Sequence, residues 1–248
     1  VTLPMVHDTI PIIKTRSYLK SPQLPYIRIP GFQEIKNNDI VVFNWPADTV
    51  RRFFVKEKGV IKPRDKKSNY VKRALGIPGD TIEIKDGIIF INGKKNVLPD
   101  RAKPIFTYNI RSEKGVSSNK LKEIGIEGFI RKFIIKNLTP RSYEEISNYI
   151  LSISNTNDNE YLVYTDDSGI PLSIIRDNNI NISELIDSTR EISLTYEDAF
   201  KVENSNLFDT IYRVTQSKGV SNLNFFPNNN NFKWNNDYLG PIYIPKKG

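Results

Sequence analysis

Between Tyr70 and Gly93 the sequence alternates short apolar runs with turn-forming residues, and this rhythm restricts the fold more than any other stretch. Tyr70-Val71-Lys72-Arg73-Ala74-Leu75 leads into Gly76-Ile77-Pro78-Gly79-Asp80, then Thr81-Ile82-Glu83-Ile84, Lys85-Asp86-Gly87, Ile88–Ile91 and Asn92-Gly93. No run is long enough to make a stable helix. Asp-Gly between alternating apolar runs is a strong hairpin signal, because a two-residue turn with positive φ at both positions matches the twist of the flanking strands. Upstream, Asn37-Asn38-Asp39 opens Ile40–Phe43, which reads as a buried strand ended by Trp45-Pro46, and Arg51–Val55 predicts another. Several short strands between turn residues predict a mainly β core.

The texture changes after Pro99-Asp100. Ile105–Ile110, Tyr161–Tyr164 and Ile211–Val214 predict strands. Asn119–Ile124 and Ser142–Ile153 predict helices, the second from apolar residues at Tyr143, Ile146, Tyr149 and Ile150 behind the start signal Thr139-Pro140. Ile180–Ile186 reads as a short helix, and Thr195–Phe200 as a helix capped by Thr195. The expected organisation is a β-rich portion over residues 1–100, an inserted α+β module over 101–225 and a return to the core over 226–248. Residues 1–33 carry Pro4, Pro11, Pro22, Pro25 and Pro30, which exclude long helices and predict extended segments. Asn228–Asn231 reads as loop.

Composition removes several chemistries. There is no cysteine and only one histidine, His7, so neither a thiolate metal site nor a histidine-based triad fits within these 248 residues. No metal or other cofactor is expected. No apolar run is long enough to span a bilayer, and no signal-peptide pattern opens the chain. The chain starts at Val1 without a methionine, so a fragment or processed product is expected. Residues 1–100 hold 18 Lys and Arg against 10 Asp and Glu, whereas 101–248 hold 18 of each. The net charge of +8 therefore belongs to the first part, and is densest at Arg51, Arg52, Lys56, Lys58, Lys62, Arg64, Lys66 and Lys67. That cluster is either a solvated loop or a contact for anionic headgroups, with Trp45, Phe53 and Phe54 as interfacial anchors. A nucleic-acid partner is not expected, because no recognition motif accompanies the charge.

Lys72 sits between apolar residues. From the residues alone it is either an ordinary lysine reaching solvent at a strand edge or a desolvated one. A desolvated lysine favours its neutral form and can take a proton from a serine. Tyr70-Val71-Lys72-Arg73-Ala74-x-Gly76-x-Pro78-Gly79-Asp80 resembles the lysine-bearing box of type I signal peptidases, membrane-bound Ser-Lys proteases. Asn38-Asp39-Ile40-Val41-Val42-Phe43-Asn44-Trp45-Pro46 resembles a second box of that family. Leu24-Pro25-Tyr26, Ile29-Pro30-Gly31-Phe32 and the ending Gly240-Pro241-Ile242-Tyr243-Ile244-Pro245-Lys246-Lys247-Gly248 are similar to the form found in Bacteroidetes-type bacteria.

The resemblance implies a β core shared with other Ser-Lys proteases and cleavage of signal peptides from exported preproteins after a small residue. Lys72 would be the general base and Tyr70 would pack on its stem. Val42 and Val71 would line the pocket for the small side chain, and Asn69–Lys72 would be the edge along which the peptide pairs. Asp39, Arg73, Gly79 and Asp80 would be structural. The family's Ser-x-Met-x-Pro-Thr-like box and its last Gly-Asp-Asn box are absent. Met5 is the only methionine, and Ser17, Ser21 and Ser68 lack the right context, so no nucleophile is assigned and the chain alone is expected to be inactive. The parent would be anchored in the bacterial inner membrane with this soluble portion on the periplasmic face. The alternative is a non-catalytic relative that binds exported peptides or partner proteins.

Overall fold

The computed structural model describes residues 9–10, 12–19, 21–22, 25, 27, 30–45, 67–157, 159–224, 227 and 229–246. His7, the expected strand Arg51–Val55 and every member of the basic cluster except Lys67 lie outside the described residues. The chain divides into two units, one of residues 1–99 with 218–248 and one of residues 100–217.

The first unit holds β1 (Ile40–Asn44), β2 (Asn69–Arg73), β3 (Thr81–Lys85), β4 (Ile88–Ile91), β5 (Lys94–Lys95) and β13 (Leu239–Tyr243). β1 and β2 form an antiparallel two-stranded ribbon. The other four make a sheet in the order β13-β3-β4-β5, also antiparallel. The expected hairpin turns are present: Asp86 and Gly87 have φ of 50° and 66° between β3 and β4, and Asn92 and Gly93 have 51° and 77° between β4 and β5. Positive φ at both positions is what the right-handed twist of a tight hairpin requires.

The second unit holds two antiparallel sheets with short helices. One sheet has the order β11-β6-β12, from β6 (Ile105–Arg111), β11 (Thr189–Thr195) and β12 (Thr210–Arg213). The other has the order β10-β7-β9-β8, from β7 (Arg131–Lys136), β8 (Ser152–Asn157), β9 (Glu160–Thr165) and β10 (Asn181–Glu184). The helices are α1 (Ser118–Glu123), α2 (Pro140–Ile146), α3 (Leu172–Asp177) and α4 (Tyr196–Asn204). Thr195 caps α4 by accepting from the amide of Asp198 at 3.1 Å, and Thr139 caps α2 ahead of Pro140. The architecture is mainly β, as the turn rhythm predicts.

Two helix readings are corrected. The helix expected to run to Ile153 ends in a 3-10 turn at Ser147–Tyr149, and Ser152–Asn157 is the edge strand β8. The helix expected over Ile180–Ile186 is instead β10, with Ile182 paired to Ile135. The spacing of Tyr143, Ile146 and Tyr149 does fall on helical turns, but beyond them, and over Asn181–Glu184, pairing with the edges of β9 and β7 overrides local propensity. Strands β7 and β11 and helix α3 were not read from the sequence at all.

The second unit carries two buried cores. One gathers Ile110, Leu121, Ile126, Leu194 and Val202, and the other Phe133, Ile135, Ile146 and Val163. A half-buried ionic network joins them. Arg131 on β7 pairs with Glu184 on β10 at 2.8 Å, and Ser118 on α1 also donates to Glu184. Arg190 on β11 donates to Ser118 at 3.3 Å and to the carbonyl of Val116 at 3.2 Å. Burial pushes the Glu184 carboxyl up, but the bonds from Arg131 and Ser118 and the charges of both arginines outweigh it and hold it below the ordinary value. Glu184→Gln removes the counter-charge of Arg131 and leaves Arg190 with Asp187 alone. A loss of about 2 kcal/mol is expected, less than for a fully buried pair because both partners keep 17% exposure. Urea unfolding followed by far-UV circular dichroism checks this, and an unchanged midpoint refutes it.

Candidate functional site

The ribbon register brings the two sequence boxes together. Val41 faces Lys72, Val42 faces Val71, Phe43 faces Tyr70 and Asn44 faces Asn69. Successive side chains in a strand point to opposite faces, so the ribbon sorts the predicted residues into two sets. Lys72 shares its face with Tyr70, Val41 and Phe43, and Tyr70 also meets Trp45 with ring centroids 5.0 Å apart. Val42 and Val71 share the other face with Ile40 and Arg73, beside an amide bond of 2.7 Å from Asn44 to Asn69. Val42 and Val71 are therefore neighbours, as a shared pocket wall requires, but they lie across the strand plane from Lys72.

The buried character expected for this ribbon is not observed. Ile40, Val42 and Val71 are 66%, 66% and 60% exposed, and Lys72 is exposed as well. The physical reason is topological. Among the described residues β1 and β2 have only each other as partners, and no buried hydrophobic cluster covers either face. Lys72 has no carboxylate partner among the described residues. The outer edge of β2 likewise has no strand partner among them. An extended segment laid along that edge finds main-chain donors and acceptors in register with Lys72.

The ribbon is held to the four-stranded sheet by Asp80, which is 8% exposed. Its Oδ2 accepts from Asn37 Nδ2 at 2.7 Å and from the amide of Ile77 at 3.0 Å, and its Oδ1 accepts from Asn92 Nδ2 at 2.8 Å. Its carbonyl accepts from the amide of Ile244 at 2.8 Å. The carboxylate thus ties the turn before β1, the loop after β2 and the β4–β5 turn, and the carbonyl of the same residue adds the end of β13. The Ile77 amide foremost, then Asn37 and Asn92, hold its pKa below the ordinary carboxylate value, against the opposing effect of burial. Gly79 belongs to the same knot. Its φ is +98°, a conformation that favours glycine, its amide donates to the carbonyl of Ile244, and a Cβ there would meet the Lys246 side chain.

Asp39 closes the turn that starts β1. Its carboxylate accepts from the Lys36 amide at 2.8 Å, and its carbonyl accepts from the Ala74 amide at 2.8 Å. Arg73 donates to the carbonyl of Asn38 at 2.5 Å. Asn38 and Asn96 exchange side-chain amide bonds of 3.0 and 2.9 Å, a second tether between ribbon and sheet. From the sequence, Asn37, Asn38 and Asn92 read as turn residues and Asn38 also as part of the second box, while Asn96 is not singled out. Their extra signal is that Asn37-Asn38 and Asn92-Gly93 flank the two strands Asp80 must connect.

Ser68 lies four residues before Lys72. At about 3.3 Å per residue the two Cα atoms of an extended strand are about 13 Å apart, too far for a direct proton transfer. No group of His, Cys, Asp and Glu among the described residues is arranged to hold a metal.

A family model described as signal peptidase, peptidase S26, matches residues 7–138, just over half of the chain. The chain belongs to this signal peptidase family. A Bacillus subtilis subsp. natto protein named signal peptidase I P is 35% identical over 66 residues, which are 27% of this chain and 33% of that protein. A Staphylococcus aureus protein named signal peptidase IB is 38% identical over 61 residues, 24% of this chain and 29% of that one. The chain thus spans about a third or less of the curated relatives it matches. No solved structure matches it. For this signal peptidase family member, both boxes, the ribbon they build and the three donors to the Asp80 carboxylate fall within the matched residues, whereas Ile244, which bonds the Asp80 carbonyl, does not. No helix among the described residues is long and apolar enough to cross a membrane.

Proposed function

We propose that this chain is the lysine-bearing part of a type I signal peptidase that hydrolyses signal peptides from exported preproteins after a small residue. The observation that carries the proposal is the β2 edge, which presents Lys72 on a strand paired with β1 along its length and anchored beyond Arg73 by the Asp80 and Asp39 turns. Lys72 acts as general base for a serine that none of the 248 residues supplies. In this reading the serine-bearing segment and the bound peptide cover the edge of β2 and exclude water from Lys72. Asn69 to Lys72 supply main-chain bonds to the peptide, and Val42 and Val71 meet a small side chain on the opposite face. In this reading Tyr70 supports the lysine stem, while Asp39, Arg73, Gly79 and Asp80 keep the ribbon in register.

The first unit is then the catalytic-core portion, of the Bacteroidetes-type form, and the second an insertion in it. The parent protein is membrane-anchored with this portion on the periplasmic face, where Lys67 and the rest of the basic cluster meet anionic headgroups. The exposure of Lys72 favours one second reading, a relative that binds exported peptides without cutting them.

The test compares the full gene product with the 248-residue chain on a preprotein ending its signal peptide in Ala-x-Ala. The full gene product cleaves after the second alanine and the chain alone does not. Binding without cleavage by the full gene product establishes the second reading. Specific cleavage by the chain alone overturns the assignment of the serine and brings Ser17 or Ser21 forward.

A further inference from the structure

Between β3 and residues 218–219, 233–234 and 238–240 lies a cavity of about 220 Å³ lined by Lys85, Lys218, Lys233, Glu83, Trp234 and Tyr238 among others. Its charge is one-sided. Glu83 is its only acidic side chain, and that carboxylate is engaged by Lys85 at 2.8 Å. Lys218 and Lys233 have no carboxylate partner among the described residues. The nearby acid Asp86 accepts a hydrogen bond from Tyr238 and does not line the cavity.

We infer that this cavity is a binding site for a phosphate ester, separate from the β2 edge. Ammonium groups are compact point charges that satisfy a tetrahedral, multiply charged oxyanion from several directions. A planar carboxylate is matched better by the guanidinium fork, and no arginine lines this cavity. The surroundings extend the argument to the rest of the ligand. Val220, Leu223 and Phe232 of the same segment are 57%, 52% and 42% exposed, and Phe232 packs on Trp234 with centroids 4.5 Å apart. An anionic group with apolar substance beside it, such as a phospholipid headgroup, satisfies both features, while a soluble phosphate ester satisfies the first alone.

The experiment uses the whole chain with Trp45→Phe, so that Trp234 in the cavity wall is the only tryptophan and its fluorescence reports occupancy. Two probes are titrated: glycerol phosphate, and phosphatidylcholine vesicles with or without phosphatidylglycerol. Saturation by glycerol phosphate identifies a soluble ester, and a response confined to phosphatidylglycerol vesicles identifies a lipid headgroup. Either result supports the site if Lys218→Gln with Lys233→Gln weakens binding by roughly 30-fold. The exposed pair Lys114 and Lys122 in the second unit, changed the same way, should leave affinity intact. The inference fails if neither probe binds, if plain phosphatidylcholine vesicles bind equally, or if the control pair causes the same loss.

Discussion

Lys72→Ala in the full gene product is expected to lower signal-peptide cleavage by about 10³-fold or more, the loss that follows when a serine hydroxyl is left without its base. Lys72→Arg should fail as completely. It keeps the positive charge on the same face of β2, but a guanidinium does not release its proton at working pH. Arg73→Lys should leave the rate nearly unchanged, because Arg73 lies on the opposite face and only donates to the carbonyl of Asn38. The three variants separate chemistry from architecture: a purely structural role for the ribbon would make Arg73 the more sensitive position. Cleavage is followed on a preprotein in detergent, with folding of each variant checked by circular dichroism. A Lys72→Arg enzyme with a normal rate ends the Ser-Lys assignment.

What could be read in advance was local. The turns Asp86-Gly87 and Asn92-Gly93, the cap at Thr195 and the start at Thr139-Pro140 each depend on a few neighbouring residues. The pairing of the two boxes into one ribbon was not read from the sequence; the resemblance only placed Val42 and Val71 at one pocket. What escaped was set by distant partners. Ser152–Asn157 is too polar to announce a strand, yet it pairs with β9. Asn181–Glu184 became a strand because Ile135 lies opposite Ile182. The exposure of Ile40, Val42 and Lys72 was hidden for the same reason: alternation says which side chains share a face, but not what covers that face. The roles of Asn37, Asn92 and Asn96 depend on a carboxylate and an amide brought from far along the chain.

The same long-range character makes Asp80 the residue whose loss should cost the first unit most. Its two oxygens accept three hydrogen bonds, two from side-chain amides and one from a backbone amide, at a site that is 8% exposed. Asp80→Ala removes the acceptor of all three bonds, of which the Asn37 and Ile77 donors are half-buried and the Asn92 donor is exposed, so at about 1 kcal/mol for each half-buried donor and less for the exposed one a loss of about 2 to 3 kcal/mol is expected. Asp80→Asn is nearly isosteric and still not silent. Whichever way the amide is turned, its nitrogen meets a donor from Asn92 or from Asn37 and Ile77. The pH dependence follows from the lowered pKa. A carboxylate held below its unfolded value near 3.9 contributes stability that is fully present above that value and is lost as the pH falls through the lower folded value. The gap between the native protein and Asp80→Asn should therefore be widest at neutral pH and should close below about pH 4. Both tryptophans, Trp45 and Trp234, belong to the first unit, so fluorescence-detected urea unfolding follows that unit without interference from the second. Equal midpoints for the native protein and Asp80→Asn at neutral pH would show that Asp80 does not hold the ribbon to the sheet. A gap that stayed constant into acid would show that the charge of Asp80 is not what holds it.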